Sequence, residues 1–384
     1  MRLGIDASNL RAGGGITHLV GLLREANPQE HGISRVTVWG SSSTVAQVVA
    51  KSWLRQVEVP ALNGALPSRT WWRRAELPRL AAADCDVLFS PGGGLITKIR
   101  PVITMFRNML PFEPLERRRY GCSWMFLRLL LLHDAQLRSF RRAAGVIFLT
   151  EYAKSKVTTQ AGRLHGCTAV IPHGIEESFR CSPRPQAAIS EYSEQRPFRL
   201  LYISIVDVYK HQGTVARAVA QLRTEGLPLS LDLIGPAYPA ALEGLKRVMQ
   251  EVDATGSFIR YGGPVASADL PQLYRSADAF VFASSCENLP NILIEAMAAG
   301  LPIACSDRLP MPEVLGSDAG IYFNPEDVAS IAAAVRNLVS DAALRERLAW
   351  TNYERAQSYS WRRCASETFA FVSKCARDYR RPPS

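Results

Sequence analysis

No apolar run in this sequence approaches the ~18–20 residues that a membrane-spanning helix needs. Its longest run of leucine is Leu129 to Leu132. An integral membrane protein is therefore not expected. The N-terminus reads Met-Arg-Leu-Gly-Ile-Asp. That is the pattern of a buried strand, without the charged start and apolar core of a secretory signal. The eight cysteines are scattered, and no two are spaced as C-x-x-C. Neither a zinc site nor a disulfide framework is expected. The six histidines show no metal-ligand spacing, and H-E-x-x-H is absent. These absences imply a cytoplasmic protein with no resident metal or cofactor.

What is present is an ordinary globular composition. The chain has 384 residues, 47% of them hydrophobic and 21% charged, enough for two or three domains. The net charge of +10 is unevenly placed. Residues 1–180 hold 24 Lys and Arg against 13 Asp and Glu, a net of +11. Residues 181–384 hold 21 against 22, a net of −1. Such asymmetry implies two halves with different partners, the first partner being anionic. No nucleic-acid motif accompanies the charge, so an anionic lipid surface or a phosphate-bearing ligand is favoured over nucleic acid.

The first half alternates β-rich runs with helical stretches. Strands are expected at 3–6, 35–39, 56–59, 87–89, 102–105, 145–149 and 168–171, and helices at 16–26 and 152–161. Residues 181–197 are polar, proline-bearing and aperiodic, and read as a linker. The alternation then restarts, with strands at 199–204, 229–234, 259–261, 279–283, 302–305 and 320–323. Helices are expected between them at 213–224, 240–252, 268–276, 291–299, 328–338 and 342–356. This order implies two doubly wound α/β domains in tandem with a cleft between, covering 1–180 and 198–356. Ligands of such sheets bind beyond the carboxyl ends of the strands. A last segment, 357–384, reads as a helix capped by Ser360, with Trp361, Ala365, Phe369 and Val372 on one face.

The most informative segment runs from Ser284 to Cys305. A strand enters a polar turn, and Pro290 stands at the opening of the following helix, where its missing N–H costs nothing. Unpaired amides at a helix start form an anion site. Glu287 lies in the turn and Glu295 inside the helix. Ionised carboxylates only accept hydrogen bonds, so they suit hydroxyl-rich ligands. By spacing alone, a capped surface helix with solvated carboxylates explains the segment equally well.

Glu287 with Glu295, the following Ala-Met-Ala-Ala-Gly-Leu-Pro, and Pro312-Glu313-Val-Leu-Gly together resemble the donor-site signature of the retaining glycosyltransferases of family 4. The resemblance extends to the opening glycine loop, to Ile171-Pro-His-Gly-Ile and to Asn324-Pro-Glu-Asp. It implies the GT-B fold: two Rossmann-like domains, an active site in their cleft and a last helix crossing back to the first domain. It implies transfer of a sugar from a UDP- or GDP-linked donor to a glycan or lipid-diphosphate-linked acceptor, in bacterial-type cell-surface polysaccharide synthesis. Glu287 would contact the donor sugar, Glu295 the ribose, the backbone at Asn288, Leu289, Pro290 and Asn291 the sugar and phosphates, and Glu313 the donor side; His173 would be a junction turn residue or touch the donor or the hinge. Asp207 and Asp278 form no D-x-D pair, so the metal-dependent site of the other major glycosyltransferase fold is not expected.

Lys210 follows the first strand of the second half. A fixed cation there stabilises the charge that a diphosphate leaving group gains, without a metal. Relatives usually carry an Arg five positions earlier, where this chain has Ile205. Ala12-Gly13-Gly14-Gly15 follows strand one and lets the backbone approach a ligand closely; the resemblance places Gly14 and Gly15 near the donor phosphate. Ser90-Pro-Gly-Gly-Gly94 is a second such loop, with Gly93 on the acceptor side. Relatives often carry a His after the strand at 102–105, where this chain has Arg107 and Asn108. Asn108 can bond a sugar hydroxyl but cannot act as a base.

The basic residues lie among aromatics, in Arg69-Thr-Trp-Trp-Arg-Arg74 and in Arg117-Arg-Arg119 before Trp124–Leu132. That mixture suits a lipid headgroup boundary, which implies peripheral docking at the inner face of the plasma membrane. A core helix with arginines on its wet face is the competing reading of Trp124–Leu132. Two other functions compete with transfer: a GT-B-like nucleotide-sugar epimerase or hydrolase, and a non-catalytic sugar-nucleotide-binding protein.

Overall fold

The structure is a computed structural model that describes residues 1–10, 13–94, 97 and 99–380. Ala12 of the glycine loop and residues 381–384 of the last segment lie outside the described residues. The chain forms two compact units. The first holds residues 1–114, 122–174 and 359–384, and the second holds 115–121 and 175–358.

The first unit is built on a seven-stranded sheet: β1 (Arg2–Asp6), β2 (Arg35–Gly40), β3 (Leu54–Glu58), β4 (Val87–Ser90), β5 (Val102–Met105), β6 (Gly145–Phe148) and β7 (Cys167–Val170). All neighbours are parallel, in the order β3-β2-β1-β4-β5-β6-β7. The second unit is built on six parallel strands: β8 (Phe198–Ile203), β9 (Leu229–Ile234), β10 (Ile259–Gly263), β11 (Ala279–Phe282), β12 (Ile303–Ser306) and β13 (Ile321–Phe323). Their order is β10-β9-β8-β11-β12-β13. Central strands such as β4, β5, β11 and β12 are buried throughout. That is why they read as short unbroken apolar runs instead of alternating ones. The expected α/β architecture is observed, each strand within two residues of its expected bounds.

The last helix, Trp361–Arg380, belongs to the first unit. Ser360 caps it, its Oγ accepting from the Arg363 amide at 3.4 Å. Trp361, Ala365, Phe369 and Val372 are all buried, as the one-faced pattern implied. Trp361 packs on the helix Gly14–Glu25 at Gly21, where a Cβ would stand 2.5 Å from the indole. It also crosses Gly174 so closely that a Cβ there would lie 2.1 Å from the Trp361 nitrogen.

Two features differ from the sequence reading. Residues 66–84 form a 19-residue helix that the sequence did not announce, because Pro78 interrupts its interior. It separates the two adjacent tryptophans: Trp72 is buried in the core, whereas Trp71 is exposed. Residues 181–197 are mostly irregular but are held down. The Cys181 amide donates to Ala298 O at 3.0 Å. The buried Arg345 guanidinium donates to Ala187 O and, at 3.2 Å, to Gln186 Oε1.

Candidate functional site

The strand order of the second sheet reverses at β8, which lies between β9 and β11. At such a point the loops leaving two neighbouring strands diverge to opposite faces and open a crevice. The loop after β8 carries Lys210, and the loop after β11 carries Glu287. Backbone and side chains stitch the two loops together. The Ser285 amide donates to Tyr209 O at 2.9 Å, and Ser285 Oγ donates to the same carbonyl at 3.2 Å. His211 Nε2 meets Ser285 Oγ at 2.9 Å. His211 itself sits at φ 50°, a left-handed conformation that turns the chain into the helix Gln212–Thr224.

Lys210 Nζ donates to Glu287 Oε1. Lys210 is only 5% exposed. Its ammonium also lies 5.0 Å from the Tyr209 ring centre and 5.4 Å from that of Phe282. Tyr202 Oη donates to the Lys210 carbonyl. The cation is therefore held by its backbone, by two aromatic faces and by one carboxylate. Burial and the nearby Glu287 carboxylate push the Tyr209 hydroxyl above its ordinary range, so it stays neutral.

Asn288, Leu289 and Pro290 follow Glu287 and are buried. Pro290 stands at the cap position, one residue before the helix Asn291–Ala298, and not inside its first turn as the sequence suggested. The Leu293 amide donates to Pro290 O at 3.1 Å, and the amides before it are those that a helix start leaves without intrahelical acceptors. Glu295, one turn further on, accepts from Tyr274 Oη at 2.9 Å. Burial pushes its carboxyl up to about 7, against the opposing effect of that hydrogen bond. Glu313 lies in the short helix Met311–Leu315, which follows β12. Ile205, where relatives carry Arg, is 38% exposed, and its carbonyl accepts from Gln212 Nε2 at 2.9 Å.

Sequence reasoning missed three participants in this unit. Tyr274 reads as a helix-face aromatic, yet it is the partner of Glu295. Asp207 accepts from Tyr120 Oη at 2.9 Å, and Arg119 pairs with Glu116 and Glu326. Thus part of the basic run at 117–119 is already engaged inside the second unit.

In the first unit, Gly13 caps the helix Gly14–Glu25 at φ 65°. Gly14 O accepts from Arg107 Nη2 at 2.7 Å, and a Cβ on Gly15 would stand 3.0 Å from Leu10. Burial lowers the Arg107 guanidinium to about 10, still cationic near neutrality. Asn108 is exposed, and its Oδ1 accepts from the Leu110 amide at 3.2 Å. Gly93 adopts φ 99°, and its carbonyl accepts from Thr104 Oγ1 at 2.8 Å. His173 is buried, stacked on Trp361 at 6.1 Å and edge-on to His18 at 6.1 Å. His18, an ordinary residue on sequence grounds, is also fully buried. Burial, then Arg107 and His173, hold it neutral. Among the described residues, no three His, Cys, Asp or Glu side chains are grouped to hold a metal.

Residues 197–341 match the family model described as glycosyl transferases group 1. O-antigen chain mannosyltransferase B of Escherichia coli is 35% identical over 223 residues, 58% of this chain and 56% of its own length. Sulfoquinovosyl transferase SQD2 of Arabidopsis thaliana is 31% identical over 271 residues, 68% of this chain and 49% of its own length. The chain thus spans about half the length of these curated relatives. Among solved structures, Anabaena HepE in complex with UDP and glucose superimposes with TM-score 0.71 at 17% identity, covering 97% of this chain and 100% of its own. Sucrose-phosphate synthase of Thermosynechococcus elongatus gives 0.74 at 17% identity, with 96% and 97% covered. Residues 197–341 are thus a group 1 glycosyl transferase domain, and the two-sheet architecture is the GT-B fold of these solved structures.

Proposed function

We propose that the protein is a retaining glycosyltransferase of family 4 that moves a sugar from a nucleoside diphosphate to a glycan or lipid-linked saccharide. The observation that carries the reading is the Lys210–Glu287 pair at the reversal of the second sheet. In this reading Lys210 Nζ turns from Glu287 to the departing diphosphate. It stabilises negative charge as the glycosidic bond lengthens, in a site where little water competes. Glu287, released from Lys210, accepts from sugar hydroxyls. Amides of Asn288 to Asn291 approach the sugar and phosphates, Glu295 accepts from the ribose, and Glu313 completes the donor side.

Asn108 offers no base, and the reading needs none. The departing phosphate oxygen takes the acceptor proton on the face where the new bond forms, so configuration is retained. Arg107 and Gly93 face the acceptor in this reading. The O-antigen relatives, which include serotype-specific mannosyltransferase WbdA of Escherichia coli, favour a mannosyl donor and a role in cell-surface polysaccharide synthesis. Neither a metal nor another cofactor has a part in this scheme.

The acceptor would be met at the cytoplasmic face of the membrane. The helix Trp124–Arg142 supports this, because Trp124, Leu127 and Leu131 are exposed, at 72%, 45% and 59%. Only Leu129, Gln136, Leu137, Ser139 and Phe140 of that helix are buried, so it is not simply a core element. Among the described residues, no helix is long and apolar enough to cross a membrane.

The test is transfer from radiolabelled UDP- and GDP-sugars to cell-envelope glycan acceptors, after a thermal-shift screen with UDP, GDP, ADP and dTDP. A nucleotide at 100 times its dissociation constant stabilises by roughly 2.7 kcal/mol. Product of inverted configuration, or hydrolysis without transfer, would overturn the reading.

A further inference from the structure

The first sheet also reverses its order, at β1 between β2 and β4, and the first unit has a cavity of its own there. The cavity holds about 270 Å3, and Thr70, Arg73, Arg74, Gly92, Gly94 and Gln136 line it. That volume lies just under the roughly 300–1,000 Å3 of small-ligand sites. Three elements supply the walls: the glycine loop after β4, the helix 66–84 and the helix 124–142.

The floor is fixed by a buried carboxylate. Asp6 ends β1 and is 1% exposed. It accepts from the Ser8 amide at 3.1 Å, from Ser90 Oγ at 3.2 Å and from Arg73 Nη2 at 3.4 Å. Arg73 Nη2 also donates to Gly94 O at 3.3 Å. Asp6 therefore neutralises one arginine and pins it against the glycine loop. Arg74 beside it forms no ion pair among the described residues, so the cavity keeps a surplus positive charge. On the far wall Gln136 is 6% exposed, and its Oε1 has no partner among the described residues. A buried amide oxygen without a donor is rare in folded proteins, and it marks a place where an outside hydroxyl can be received.

We propose that this cavity binds a phosphorylated saccharide, the phosphate on Arg74 and the outer edge of Arg73, and ring hydroxyls on Gln136 and Thr70. The proposal rests on the transferase reading, in which this ligand is the acceptor or its reducing-end phosphate. A charge-assisted contact to Arg supplies the strength, and the buried amide supplies selection for a hydroxyl-bearing ligand over bare phosphate. The ligand can be free or carried on a lipid, since both present the same phosphate and ring.

The full chain is titrated calorimetrically with glucose 1-phosphate, with glucose as the neutral control. Sedimentation with phosphatidylcholine vesicles containing phosphatidylinositol provides the lipid-borne arm. The wild type is expected to bind glucose 1-phosphate and not glucose. Arg74→Glu should weaken binding about tenfold or more, equivalent to about 1.4 kcal/mol. Gln136→Leu should weaken it in whichever arm shows binding, and Lys210→Ala should leave it unchanged. Arg74 is exposed, so its variant remains informative even where Gln136→Leu fails to fold. No binding by the wild type in either arm, equal binding by Arg74→Glu, or loss in Lys210→Ala alone overturns the proposal. Nucleotide thermal shifts on the same samples report separately on the transferase reading. Glucose 1-phosphate binding that follows Arg74, with no stabilisation by any nucleotide, would sink that reading and leave the cavity standing.

Discussion

Lys210 and Glu287 are 77 positions apart in sequence, yet the ammonium of one donates directly to the carboxylate of the other. Neighbouring strands β8 and β11 bring them together, and the stitched loops leave both little freedom. Each group compensates the buried charge of the other, and under the proposed function a diphosphate competes with Glu287 for the cation.

Lys210→Ala and Glu287→Ala should each lower transfer by two or more orders of magnitude, about 3 kcal/mol or more of transition-state stabilisation. Far-ultraviolet circular dichroism should be unchanged. Full activity in either folded variant removes that residue from the reacting centre.

Glu295 gives a pH signature. Its folded-state value of about 7 lies above the ordinary 4.5 of a glutamate, so the folded chain binds this proton more tightly than the unfolded one does. The contribution to stability is present at low pH and is lost as pH rises from about 4.5 through about 7. Glu295→Gln should flatten the pH dependence of melting temperature across that window. A steep slope that survives in the variant assigns the titration to another group.

Under the proposed function the same carboxylate would link nucleotide binding to pH. A ribose hydroxyl donates best to the ionised form, so affinity for the nucleotide that binds should rise as pH passes upward through about 7. Tyr274→Phe removes the hydrogen bond that opposes the upward shift. Calorimetry should therefore find the affinity rise displaced to higher pH in that variant. An unchanged pH midpoint would falsify the link between Tyr274 and nucleotide binding.

Gly174→Ala should destabilise the first unit by about 1–3 kcal/mol, since its Cβ meets backbone that cannot move aside cheaply. Chemical denaturation followed by tryptophan fluorescence reads this out, because Trp361 is the residue displaced. A neutral effect would mean that the two chain segments separate without cost.

Docking on lipid is testable apart from catalysis. Leu131→Glu and Trp124→Ala should cut sedimentation with anionic vesicles several-fold while leaving nucleotide thermal shifts intact. Undiminished sedimentation assigns the exposed face of this helix to something other than membrane.

Much of the fold was legible because each buried parallel strand is a short apolar run bounded by turn residues, and 102–105 and 229–234 match the observed strands end for end. The helix at 66–84 was hidden because Pro78 and eight exposed or half-exposed polar positions blur its period. Adjacent residues of a helix face different ways, so Trp71 and Trp72 could not share one role. The Lys210 and Glu287 loops were visible through the donor signature that surrounds them. Tyr274 and Asp6 were not, because their partners stand 21 and 67 residues away, and no local pattern encodes such a meeting.

The placement of the last helix bears on how the chain is made. The first unit draws on residues at both ends of the sequence. Trp361 fills the space over Gly21 and Gly174 only after the entire second unit has left the ribosome. During synthesis the earlier segments wait with the surface under that helix uncovered, while the second unit can already close around β8 to β13. Translation order therefore runs against spatial order here. A fragment ending at residue 174 should aggregate, and supplying the segment from 359 onward as a separate peptide should rescue its solubility.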